Sequence, residues 1–115
     1  MAIHYNLSKV YNLSENDPEF VLQIISLFAT DISEDLRHIE QGILLKDYKM
    51  ARSYAHKIKP TLDLMGMNQA YEELLQIEDW ANREGKRKEI NATVDSIKIQ
   101  VEKAIKEIKK NFDVN

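Results

Sequence analysis

The stretch YKMARSYAHKIKPTLDLMG, residues 48–66, places Ala51, Tyr54, Ala55, Ile58, Leu62 and Met65 three or four residues apart. At about 100° per residue these side chains fall in one arc of roughly 100°, as in a helix with a single buried stripe. His56 then lies roughly 150° from the centre of that arc, on the water side, and Lys59, Pro60 and Asp63 share its face. A histidine kept for packing does not belong there. Pro60 is the anomaly. Inside a helix, proline removes one backbone hydrogen bond and crowds the carbonyl four residues back, at about 3 kcal/mol. Here that carbonyl is His56's. Two readings stay open: the helix bends and water satisfies the carbonyl on the outer face, or Pro60 starts a new helical segment. Gly66 stops the stretch, because glycine adopts the left-handed conformation that terminates helices.

The same period continues on both sides. NDPEF, residues 16–20, is a helix start: Asn16 or Asp17 can cap, Pro18 fits the first turn and Glu19 suits the positive end of the dipole. Val21, Ile25, Phe28, Ile32, Leu36, Ile39 and Ile43 follow at helical spacing, giving an expected helix over 17–44. Asp47 is positioned to cap the next, over 48–65. Asn68 is the expected cap of a helix over 68–84 whose apolar side is Ala70, Tyr71, Leu74, Ile77 and Ala81, closed by Gly85 and the basic run after it. The last helix, 88–112, carries Ile90, Val94, Ile97, Val101, Ile105, Ile108 and Phe112, with lysines toward its C-terminus as the dipole favours. A short helix about 7–13 precedes them all, with Val10 and Tyr11 expected to face inward. The expected fold is therefore all-α: an up-down-up-down four-helix bundle with a short N-terminal capping helix, forming one domain over residues 1–115.

Composition narrows the chemistry. With 115 residues the chain buries one modest core and has no room for a large enclosed cleft. It has no cysteine, which removes thiolate catalysis, disulfides and Cys-ligated zinc. The formal charge of −3 offers no general attraction to nucleic acid or an anionic membrane. No signal-peptide pattern opens the chain, and no apolar run approaches the ~18 residues a membrane helix needs, so a cytoplasmic location is expected. Trp80 and the tyrosines read as core and rim residues. A di-metal bundle would need paired Glu-x-x-His motifs facing inward. Asp35-x-x-His38 is a lone match and reads as a solvated pair, so no metal site is expected.

AHKIKPTLDLMG, residues 55–66, resembles the signature of histidine-containing phosphotransfer (HPt) domains. His56, Ile58, Lys59 and Gly66 match it in type and spacing, NDPEF precedes it and the pair Ile77-Glu78 follows, so the resemblance covers residues 5–112. The family's four-helix bundle agrees with the periodicity. The resemblance implies that His56 takes a phosphoryl group from a phospho-aspartate of a response-regulator receiver domain and hands it to another, as a phosphorelay intermediate in two-component signalling. It implies that Lys59 offsets phosphoryl charge, and it makes Glu78 the candidate that orients the ring, the alternative being an ordinary exposed helix carboxylate. Expected partners are receiver domains and a hybrid histidine kinase, with the chain a monomer. The Mg²⁺ belongs to the receiver, so no cofactor is expected here. Pro60 departs from the family, which usually has glycine there; both residues are compact beside the imidazole, and the change bears on rate and partner preference.

Around His56, the residues Arg52, Lys57, Pro60, Asp63, Leu64 and Met67 are the expected docking surface, Leu64 and Met67 as exposed apolar contacts, and Gly66 is structural. No nucleotide-binding glycine motif is present, so ATP-dependent kinase activity is not expected, although the chain could be the phosphoacceptor piece of a split kinase. The alternative reading is a non-catalytic helical module that binds a kinase or receiver without phosphotransfer.

Overall fold

Side-chain caps set where the first two long helices begin in the computed structural model, which describes residues 3–112. Helix α1 spans Ser8–Leu13, α2 Pro18–Leu44, α3 Tyr48–Leu64, α4 Asn68–Asn82 and α5 Arg87–Phe112. Asp17 caps α2 by accepting from the Glu19 amide at 3.1 Å, with Pro18 as the first helical residue. Asp47 caps α3 by accepting from the Met50 amide at 3.1 Å. The N-cap of α4 is Met67 rather than Asn68, with no side-chain cap bond: the tight turn at Gly66 brings the chain into helix one residue early. Pro60 does not start a new segment. Helix α3 runs unbroken through it.

Each long helix packs against its sequence neighbours, and α5 closes back on α2. The result is a helical bundle of 43 × 23 × 20 Å, its long axis close to the ~40 Å that the 27 residues of α2 span at about 1.5 Å each. The apolar stripes meet inside: Ile25, Ile39, Leu62, Leu74, Ile77 and Ile97 are fully buried. Trp80 lies in the interior with them. Of the pair expected inward on α1, Val10 is buried but Tyr11 is 36% exposed, because a helix of under two turns shields only one narrow strip.

The N-terminal segment is fastened at both ends of its path. The Asn6 amide donates to the Met65 carbonyl at 2.8 Å, and Asn111 Nδ2 donates to the Tyr5 hydroxyl at 2.9 Å. The Glu107 carboxylate accepts from the Ile3 and His4 amides. Those bonds, the His4 one foremost, hold its carboxyl below the usual carboxylate range. The depressed value makes this tether fully present above the ordinary glutamate range and lost as pH falls through the folded value. Accordingly, the Ile3 and His4 amide proton shifts should titrate together with a midpoint below the ordinary one, and Glu107→Gln should remove that titration. A midpoint at the unperturbed value would sever the link.

Among the described residues, no helix is long and apolar enough to cross a membrane.

Candidate functional site

Ala51, Ala55, Ile58 and Leu62 press α3 into the core, which leaves its outer face to His56. The imidazole is 74% exposed. Its Nδ1 stands 3.4 Å from Oε2 of Glu78 on α4, at the long end of hydrogen-bonding distance. Glu78 is placed there by Leu74, Ile77 and Ala81, which bury the other side of α4. Its second oxygen, Oε1, accepts from Lys59 Nζ at 2.9 Å. One carboxylate, only 16% exposed, thus meets both the ring and the ammonium that lies one turn further along α3. For Nδ1 to donate to it, the ring must carry its proton there, which leaves the Nε2 lone pair free on the opposite edge.

Lys57 leans the other way. Its ammonium donates to Asp35 Oδ1 on α2 at 2.8 Å and sits 5.7 Å from the centre of the Tyr54 ring. That bond, with the attraction behind it, lifts the Lys57 amine above its ordinary range. Asp35 is buried, so the solvated Asp35–His38 pair expected from sequence does not exist. His38 instead stacks on Tyr54, ring centres 4.5 Å apart, with Nε2 3.4 Å from Glu34. Asp35 escaped the sequence reading because its partner is on another helix; the cue available was a charge at the edge of the stripe formed by Ile32, Leu36 and Ile39.

The remaining candidates divide. Pro60 is exposed one turn from His56. Arg52 is also on the surface, its Nη1 donating to Asn82 Oδ1 at 3.0 Å. Asp63 accepts from Lys9 Nζ at 2.6 Å and so ties α3 to α1. Leu64 is half-buried against the core and borders a groove between α2 and α3 with Ile24, Leu27 and Phe28, so it is not the freely exposed contact expected. Leu27, off the α2 stripe and exposed, was not singled out from sequence. Met67 is buried, so it is not the exposed apolar contact expected. Gly66, at φ +66°, turns the chain back so that the Met67 amide reaches the Leu62 carbonyl and its side chain enters the core. A Cβ on Gly66 would stand 2.6 Å from Asn6 Cβ, so the residue is structural both in conformation and in space.

Against known proteins, a family model described as Hpt domain matches residues 23–111, a span that includes His56, Lys59 and Glu78 and omits α1. Comparison with curated proteins finds no match, and neither does comparison with solved structures.

Proposed function

The chain belongs to the Hpt domain family, the phosphotransfer modules of two-component systems, and from that membership we propose that His56 is its phosphoacceptor. The Nε2 lone pair attacks the phosphorus of a receiver-domain phospho-aspartate. The N–P bond forms as the acyl P–O bond breaks, and the electron pair returns to the aspartate carboxylate. A second receiver aspartate then reverses the step. Such transfers run through a loose, in-line transition state that needs positioning and charge neutralisation more than covalent help. Glu78 positions the ring through Nδ1, Lys59 meets phosphoryl charge, and the receiver brings its own Mg²⁺. The acceptor works as a cytoplasmic monomer between a hybrid kinase and a regulator, with Arg52, Lys57 and Pro60 on the docking face.

The observation that carries this reading is an exposed imidazole whose inner nitrogen faces a carboxylate already paired to a lysine on the same helix face. Incubation with a phosphorylated receiver domain should yield a protein-bound label that is acid-labile and base-stable, as a phosphoramidate is. Tight receiver binding without label would make the chain a non-catalytic interaction module instead.

Lys59→Ala should slow uptake roughly tenfold with the melting curve little changed, since one partly exposed charge contact is lost. Unchanged rates would remove Lys59 from the site. At Pro60, glycine should be mild, whereas Pro60→Arg should raise the receiver concentration needed for half-maximal transfer by more than about tenfold, because a long cation beside the ring obstructs approach. Equal behaviour of the two variants would place docking elsewhere.

A further inference from the structure

An orienting group and a charge-setting group leave different marks on a reversible transfer, and the geometry of Glu78 belongs to both kinds. Both of its oxygens are engaged, one at His56 Nδ1 and the other at Lys59 Nζ. The pair is only 16% and 24% exposed, so water screens it incompletely. In the unphosphorylated chain the Lys59 charge is cancelled by Glu78. A phosphoryl group on Nε2 adds close to two negative charges to the same face. Lys59 must then serve two anions, and Glu78 itself repels the newcomer. The Nδ1–H contact opposes this, since a carboxylate there favours the positively charged ring that bears phosphoryl on Nε2, but at 3.4 Å it is the longer contact and the 2.9 Å Lys59 pair sets the sign.

We infer that Glu78 holds Lys59 in reserve and thereby weakens the grip of His56 on its phosphoryl group, so that the site passes the group on rather than storing it. This rests on His56 being the phosphoacceptor. A carboxylate that stabilises one state over the other shifts the equilibrium by that difference. One that only orients the ring changes forward and reverse rates by the same factor and leaves the distribution untouched. Asp35 on the opposite flank holds Lys57 in a similar pair, but no contact joins that pair to the imidazole among the described residues.

The test is the equilibrium distribution of ³²P between a phosphorylated receiver domain and the full chain at pH 8, with rates followed in both directions. Glu78→Gln removes the charge while keeping size, and should move the distribution about five- to tenfold toward phosphohistidine. Glu78→Asp keeps the charge and should stay near wild type in distribution, even if its rates fall. Lys59→Ala should move the distribution the other way. Circular dichroism melts confirm that each variant is folded. If Glu78→Gln slows both directions equally and leaves the distribution unchanged, Glu78 only positions the ring and the inference is overturned. If the wild-type chain takes up no label, the phosphoacceptor reading fails and takes this inference with it.

Discussion

His56→Gln should reduce phosphoryl uptake from a receiver domain to background while leaving the bundle as stable as wild type. Glutamine keeps much of the length and polarity of the side chain but has no nitrogen lone pair able to attack phosphorus, since its amide nitrogen is delocalised into the carbonyl. The cost to folding is small because the ring is 74% exposed and its hydrogen-bonding partner, Glu78, retains Lys59. Surface changes of this sort fall within about ±0.5 kcal/mol. The measurement pairs a labelling assay with a thermal melt on the same preparation. A variant that still takes up label would move the acceptor to another residue. His38 would be the first to examine, although its stacking on Tyr54 and contact with Glu34 leave it 32% exposed.

The second large effect is on stability and lies two residues beyond Glu78, on the buried side of α4. Trp80 is fully buried, and its Nε1 donates to the Lys86 carbonyl at 2.8 Å. The indole packs against Tyr48 with ring centres 5.1 Å apart, and the Tyr48 hydroxyl donates to the Gly85 carbonyl at 2.9 Å. The turn from α4 to α5 is therefore wound around one ring. Gly85 is where it passes closest: a Cβ there would stand 2.3 Å from Trp80 Cδ1. Trp80→Ala empties this volume and removes one donor from the Lys86 carbonyl, which keeps the Glu89 amide at 3.0 Å, so a loss of about 3–5 kcal/mol is expected from the cavity. Against a total of roughly 5–15 kcal/mol for a domain of this size, that lowers the melting temperature by about 10–20 °C. Trp80→Phe keeps an aromatic ring against Tyr48 and should lose markedly less. A melt of Trp80→Ala within a few degrees of wild type would mean that the turn finds another support. Below its own melt, the variant should still be labelled at His56, which separates folding from chemistry.

The helices were legible in the sequence because the rule behind them is local. Asp17 and Asp47 cap as their positions before an apolar-periodic run require, and the α2 stripe from Val21 to Ile43 is buried throughout. The outward direction of His56 follows from the same arithmetic: residues such as Ala55 and Ile58 can face the core only if His56 faces water. Where the sequence reading failed, the deciding contact came from elsewhere in the chain. Met67 looked free until the left-handed turn at Gly66 folded it inward, and Leu64 until the α2 side chains rose beside it.

Sequence alone determined that four amphipathic rods would bury their stripes together and leave an imidazole outside the core with Lys57 and Lys59 on either flank, because helical period and capping depend on residues within about a turn of each other. Only the tertiary structure decided what those lysines do at rest: Lys57 turned to Asp35 on α2, Lys59 to the carboxylate on α4 that also meets His56. Those pairings depend on how each helix is rotated and offset against its neighbour. That is settled by the packing of the whole core, which no local pattern encodes.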